Sequence, residues 1–234
     1  MNKNRLEAAY KMIVEELVAE AGTVEAQANF EGSNKRAARA LMEMCISYEE
    51  IQKDMAKILS VSFPVHTSLT SYIPPLNVQG PIRVISLCPH HLLPVIYEAF
   101  VGYLPKGTQV LGLSKLARVC VTLAKRPILQ EQLANDIADA LFCFEAKAIK
   151  AITVTDNRIC STITTEIGEV PIFTSKGSAV QLIGSHQCML CRGVRQNALT
   201  TTTALKGDLR QEGMEQKFLH QVDIIRQSRM SNLG

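Results

Sequence analysis

Cysteine and histidine are concentrated in two short segments of this 234-residue chain, although it holds only five histidines. The segments are Cys88-Pro89-His90-His91 and His186-Gln187-Cys188-Met189-Leu190-Cys191. Thiolate and imidazole ligands together favour zinc over magnesium or calcium, which prefer oxygen ligands. The spacing of Cys88 and His91 lets both side chains reach one ion across a tight turn. The two segments therefore predict a zinc site.

The number of protein ligands decides between a structural and a catalytic zinc site. If both Cys188 and Cys191 bind, four protein ligands close the site; if only one binds, three ligands leave a position for water. If residues 180–192 continue as a strand, His186 and Cys188 point to one face and Cys191 points to the other. A structural site with Cys191 as the fourth ligand remains the competing interpretation.

On the strand interpretation, the metal ligands are Cys88, His91 and Cys188. His90 and His186 then lie beside the metal without binding it. One of the paired histidines holds the ion, and its neighbour is free to transfer protons.

Composition and charge argue against several classes of protein. Apolar residues make up 47% of the chain, enough for a sizeable core. The net charge of +3 gives no case for nucleic-acid binding by bulk charge. The chain contains no run of eighteen apolar residues, so no membrane span is predicted. Charged residues interrupt the first ten positions, where a signal peptide would be apolar. We expect a cytoplasmic protein whose seven cysteines are free thiols or metal ligands.

Helical patterns dominate the N-terminal region, residues 1–60. The predicted helices are 5–21, 34–45 and 47–59, the last opened by a capping box of Ser47 and Glu50. Residues 22–33 are predicted as a loop, and the proline-rich residues 60–81 as irregular chain. A second region, residues 61–234, would then carry the zinc site.

The elements of the second region are typical of one α+β domain. The predicted strands are 83–87, 95–105, 179–188 and 200–205. The predicted helices are 114–125, with Ser114 as N-cap, 128–145, with Pro127 in its first turn, and 213–227. Residues 149–174 are predicted as a hairpin that turns at Asp156-Asn157.

Five separate motifs resemble the GTP cyclohydrolase I family. In order they are CPHHLLP, GYLPKG, VLGLSKLAR, LQEQL and SHQCMLCRGV, and the resemblance covers roughly Lys35 to Ile225. It implies the tunnelling fold, an α+β fold with an antiparallel sheet, helices on one face and additional N-terminal helices. It also implies a ring-forming homo-oligomer, a decamer of two stacked pentamers, with active sites between subunits.

The resemblance further implies a reaction and a set of site residues. The family uses Zn²⁺ to convert GTP to 7,8-dihydroneopterin triphosphate with release of formate, and the triphosphate feeds pterin, folate or deazapurine synthesis. The matching positions are Cys88, His91 and Cys188 for zinc; His90 and His186 for proton transfer; Glu131 for the guanine, with Gln130 as a further substrate-binding residue; and Ser114, Lys115, Arg118 and Arg192 for the triphosphate and ribose. Cys191 falls where the family places no ligand.

These residue types suit the opening of the guanine imidazole ring by water added at C8. Zinc lowers the pKa of bound water from ~15.7 towards ~7. A histidine that titrates near ~6.5 can protonate N7, and the sequence does not order His90 and His186 for this task. Glu131 can accept both N–H groups of the guanine edge. Lys115 and Arg118 share a helix face, so both can reach one phosphate group.

The chain departs from the family pattern at three places. Pro89 stands where the family usually has glutamate, and Gln132 where it usually has arginine. Roughly thirty extra residues, about 145–176, separate the helix of Glu131 from the strand of Cys188, and we predict an added hairpin there. Because the site residues are retained, an active enzyme is favoured. The alternative is a catalytically impaired relative that binds nucleotide or partners an active enzyme.

Overall fold

The computed structural model describes residues 1–65, 74–145, 154–155, 158–159 and 171–231 of the chain. Its helices are α1 (Lys3–Ala21), α2 (Val24–Phe30), α3 (Ser33–Met44), α4 (Tyr48–Leu59), α5 (Leu113–Leu123), α6 (Gln130–Phe142), α7 (Gln187–Leu190) and α8 (Met214–Ser231). Its strands are β1 (Ser62–Pro64), β2 (Asn77–Leu87), β3 (Pro94–Pro105), β4 (Gln109–Leu111), β5 (Cys143–Glu145), β6 (Val154–Thr155), β7 (Arg158–Ile159), β8 (Pro171–His186) and β9 (Leu199–Gly207). None of the described helices is long and apolar enough to cross a membrane.

The chain forms two compact units, Met1–Ser47 and Tyr48–Gly234. The smaller unit contains α1, α2 and α3, and α1 packs on α3. Asn2 caps α1 by accepting a hydrogen bond from the Arg5 N–H, and Gly22 ends it in the left-handed conformation that glycine adopts without strain. The predicted loop at 22–33 is wrong, since it contains α2.

Helix α4 lies in the larger unit, although the sequence predicts a helical region that extends to residue 60. Ile51, Met55 and Leu59 form its buried stripe at helical spacing. The helix packs on α5. The compact N-terminal unit therefore ends at Ser47, before α4.

The larger unit is built on an antiparallel sheet with the order β2-β3-β8-β5, and β9 also pairs with β8. The long β8 pairs with β3 along one edge; along the other it pairs first with β5 and then with β9. The predicted α+β class is confirmed, and each of the four predicted strands contributes to this sheet. Strand β2 begins at Asn77, within the segment predicted as irregular.

Helices cover both faces of the sheet. On one face, the Ser178 hydroxyl of β8 donates a hydrogen bond to the Ala138 carbonyl of α6 at 2.5 Å. On the opposite face, Phe218 and Val222 of α8 pack with Phe100 of β3. The prediction of helices on one face therefore holds for α5 and α6 and is wrong for α8.

Two predicted helix starts are shifted in the structure. Helix α5 begins at Leu113 with Gly112 as N-cap and no side-chain cap, so Ser114 is not the capping residue. Helix α6 begins at Gln130 because Pro127 and Ile128 are extended: Pro127 bridges to Leu87 in parallel, and the Ile128 N–H donates to the Leu87 carbonyl. These two contacts anchor the start of α6 next to the end of β2.

Most of the predicted hairpin at about 145–176 lies outside the described residues, including Cys160 and the turn Asp156-Asn157. Within that range, β6 pairs with β7 in antiparallel register. The residues from Pro171 onward form the first part of β8 rather than an added element.

Candidate active site

The loop between β2 and β3 places Cys88 and His91 side by side. Two backbone hydrogen bonds close the loop, from the Cys88 N–H to the Leu93 carbonyl at 2.9 Å and from the Leu92 N–H to the Cys88 carbonyl at 2.8 Å. Leu92 has a φ of 52°, which is rare for a leucine and costs of order 1 kcal/mol or more. The resulting tight turn holds Cys88 Sγ and His91 Nδ1 3.5 Å apart.

Cys188 completes the cluster from a different element. Strand β8 ends at His186, and Cys188 lies on the short helix α7, so the prediction that 180–192 continue as a strand is wrong. Ligand atoms of Cys88, His91 and Cys188 nevertheless lie within 4.8 Å of one another. Cys191 lies outside this group; it is exposed, and its Sγ contacts Gln187 Oε1 at 4.0 Å.

The donor set fits a tetrahedral zinc ion with three protein ligands. Distances of about 2.3 Å to sulfur and about 2.1 Å to nitrogen put the two donors about 3.6 Å apart at a tetrahedral angle. The 3.5 Å between Cys88 Sγ and His91 Nδ1 matches that value. Burial, and then the neighbouring Cys88 thiol, raise the pKa of the Cys188 thiol, so a bound cation must displace its proton.

A cavity of about 260 Å³ lies over this cluster and contains most of the predicted site. The predicted residues that line it are Cys88, His90, His91, Gln130, Glu131, His186 and Cys188. Pro89 also lines it, where the family resemblance leads one to expect glutamate. The four predicted triphosphate and ribose residues are not among its lining: Ser114, Lys115, Arg118 and Arg192.

Gln130 fixes the orientation of His186. The Gln130 side chain is buried, and its Nε2 lies within 3.3 Å of the Leu182 carbonyl, the Thr200 carbonyl and the Thr202 hydroxyl. These three acceptors fix the amide so that Gln130 Oε1 faces His186 Nε2 at 2.9 Å. Because Oε1 can only accept a hydrogen bond, His186 Nε2 carries a proton and donates the hydrogen bond to Gln130. Burial lowers the pKa of His186, which favours the neutral ring. Nδ1 is then the ring nitrogen that can accept or release a proton.

Glu131 enters the cavity from the first turn of α6. Gln130 and Glu131 open the same helix, but one side chain is buried while the other is exposed. The partial positive charge of a helix N-terminus favours a carboxylate at this position. The carboxylate is thus free to meet a ligand inside the cavity.

Tyr97 contacts the His186 ring, and Gly184 leaves room for the Tyr97 and Gln130 side chains; sequence reasoning did not identify either residue. They lie directly opposite each other on β3 and β8. The Tyr97 ring is fully buried and makes an edge-to-face contact with His186 at a centroid distance of 6.2 Å. Pairing a glycine with an aromatic residue across strands is a known device, but reading it from sequence requires the register of two distant strands.

We expect Gly184→Ala to lower the free energy of unfolding by about 1–3 kcal/mol through overpacking. An added Cβ would lie 2.8 Å from Tyr97 Cε1 and would also collide with Gln130 Oε1. Urea denaturation at fixed protein concentration measures the change, with Ser185→Ala as the neighbouring control. Equal midpoints for the two variants would show that the Tyr97 and Gln130 side chains move aside without cost.

A model of the GTP cyclohydrolase I family matches residues 10–166, about two thirds of the chain. The chain belongs to the GTP cyclohydrolase I family. GTP cyclohydrolase 1 of Thermoanaerobacter pseudethanolicus is 34% identical over 176 residues, which cover 75% of this chain and 74% of that protein. GTP cyclohydrolase 1 of Alkalilimnicola ehrlichii is 31% identical over 208 residues, covering 88% of this chain and 90% of that protein.

The comparisons with the GTP cyclohydrolase I family, a family of enzymes, cover both parts of the Cys88, His91 and Cys188 cluster. The family match ends at residue 166, before Cys188. The alignment with the Alkalilimnicola ehrlichii protein covers 88% of the chain and therefore spans both halves of the cluster. Both Cys88 and Cys188 thus lie within the stretch that is aligned with a named GTP cyclohydrolase 1.

Proposed function

We propose that the protein is a zinc-dependent GTP cyclohydrolase that hydrolyses GTP at C8 of the guanine, opens the ring and forms 7,8-dihydroneopterin triphosphate with release of formate. The observation that carries this proposal is the convergence of four elements on one cavity. The β2–β3 loop and α7 bring Cys88, His91 and Cys188 to it. Helix α6 and the end of β8 bring Glu131 and His186.

The cluster of Cys88, His91 and Cys188 would hold the zinc ion, and Cys191 would take no part. When bound there, the ion supplies Lewis acidity that makes a water nucleophile available near neutral pH. Three protein ligands leave the fourth tetrahedral position for a water molecule, as catalytic rather than structural zinc requires.

Glu131 and the two histidines would bind and protonate the substrate. The Glu131 carboxylate accepts hydrogen bonds from N1–H and the 2-amino group of guanine, a pair of donors that adenine does not present. His186 offers Nδ1 for proton transfer, because Nε2 is engaged by Gln130. His90 is exposed beside the cluster and is the second candidate for protonating N7.

A neighbouring subunit would complete the site. Lys115 and Arg118 line a different cavity of the same chain, although the resemblance assigns them to the triphosphate. A ring-forming homo-oligomer, a decamer in the family, would bring these cations of one copy to the guanine cavity of the next. We propose that assembly, in a cytoplasm whose reducing conditions keep the ligand thiols free.

The proposal predicts that the zinc-loaded protein converts GTP to a product that becomes a fluorescent pterin after oxidation and dephosphorylation. One formate should be released per pterin, and ATP should give neither product. Loss of activity on chelation and recovery with zinc complete the test. Tight binding of GTP without either product would instead favour the impaired relative, which the proline at position 89 of the cavity motivates.

A further inference from the structure

A second cavity of the larger unit, about 490 Å³ in volume, lies between α4 and α5. Its floor is largely apolar and includes Ile58 and Val121. Its charged lining residues are Lys57, Lys115, Arg118, Lys125 and, as the only acid among them, Asp54. Four cations therefore face one carboxylate in a chain whose net charge is only +3.

Within the described part of the chain, the four cations of this cavity form no ion pair with a carboxylate. The ion pairs of that part include none of these four residues. Lys53, one helical turn before Lys57 on α4, shows the contrast, because its Nζ lies 2.7 Å from Glu49. Four like charges opposed by a single carboxylate raise the local potential and attract an anion.

The arrangement suits a chain of phosphate groups better than a single one. Lys57 comes from α4, whereas Lys115 and Arg118 come from α5 and Lys125 follows the end of α5. Cations on separate elements can each contact a different phosphate along a polyphosphate. Lysine suits this task because its ammonium binds phosphate as a point charge from several directions.

We propose that Lys57 and Lys125 bind the triphosphate of the substrate together with Lys115 and Arg118. The inference rests on the proposed function, because it takes GTP as the ligand. The family resemblance assigns Lys115 and Arg118 to the triphosphate and assigns neither Lys57 nor Lys125. The triphosphate site is thus formed by α4 and α5 together, and the α4 residue, Lys57, lies outside the sequence motifs of the family.

Lys57→Gln and Lys125→Gln should each raise KM for GTP about tenfold, with the loss falling on KM rather than kcat. Lys53→Gln is the matched control, since it removes the same charge from the same helix outside the cavity. Asp54→Asn should lower KM roughly threefold, because Asp54 is the only acid among the described residues that line the cavity. A KM equal to wild type in both lysine variants would overturn the inference while leaving GTP turnover intact.

Binding of inorganic tripolyphosphate, measured by titration calorimetry on the full-length protein, tests the cavity without requiring turnover. We expect the affinity to fall at least about tenfold in the Lys57→Gln/Lys125→Gln double variant and to fall with added salt in wild type. If wild type makes no pterin from GTP but shows this lysine-dependent binding, the proposed function fails and the anion site stands. Binding that is equal in wild type and the double variant refutes the anion site.

Discussion

Cys188→Ala is expected to lower zinc affinity at least ~10³-fold and to abolish detectable turnover of GTP. Cys188 supplies one of three donors that lie within 4.8 Å of one another, so its loss leaves only Cys88 and His91, on one short loop. Removing a group that merely orients a metal ligand already costs about 10- to 100-fold in affinity or activity. Removing the ligand itself must cost more, and two protein donors are fewer than the three that a catalytic zinc site requires.

Cys191→Ala is the matched control for this experiment, because it makes the same cysteine-to-alanine change three residues away. We expect it to keep one zinc per chain, measured by elemental analysis after dialysis, and near-normal turnover. Cobalt substitution adds a spectroscopic test, since the loss of one thiolate weakens the sulfur-to-metal absorption only in Cys188→Ala. If Cys191→Ala loses the metal instead, the cluster is a four-ligand structural site and the enzymatic proposal falls.

The choice of Cys188 over Cys191 shows what sequence reasoning could and could not determine. The prediction selected Cys188 because a continuing strand would turn the two thiols to opposite faces. The chain instead enters α7 directly after His186, and residues three apart on a helix share a side. Spacing alone therefore could not separate the two thiols, whereas in the structure Cys188, and not Cys191, groups with Cys88 and His91.

Local patterns predicted the helices and strands that carry the motifs. The strand register and the placement of α8 depend on contacts between distant segments, which local patterns do not reveal. Strand β3 was readable from its own residues, because both its faces are apolar along most of its length. The pairing of Tyr97 with Gly184 depends on a register between strands about ninety residues apart. Likewise, nothing in the pattern of α8 indicates that Phe218 packs on the face of the sheet opposite α6.

Lys57 illustrates a binding residue that sequence reasoning could not find. On α4 it has the pattern of an ordinary exposed cation in the last helical turn, where a lysine also interacts favourably with the helix dipole. Only the packing of α4 on α5 brings it to a cavity shared with Lys115 and Arg118. A candidate site assembled from motifs is therefore incomplete wherever a second element contributes a residue without a motif.

Glu131→Gln is expected to lower kcat/KM for GTP roughly 10²- to 10³-fold, equivalent to about 3–4 kcal/mol. The carboxylate offers two acceptor oxygens to the two N–H donors of guanine. An amide replaces one acceptor with a donor, so one N–H of the substrate meets an N–H of the protein and both lose a partner. Gln132→Ala is the control, because Gln132 is the exposed neighbour of Glu131 on α6 and does not line the cavity.

Inosine triphosphate separates a guanine contact from a general disturbance of the site, because it lacks the 2-amino group but keeps N1–H. The wild-type protein should prefer GTP over inosine triphosphate, since the second oxygen of Glu131 loses its donor in the analogue. In Glu131→Gln that preference should shrink towards unity while the zinc content stays at one per chain. If the variant is slow yet keeps the full preference for GTP, Glu131 does not bind the guanine edge, and the discrimination comes from another residue of the cavity.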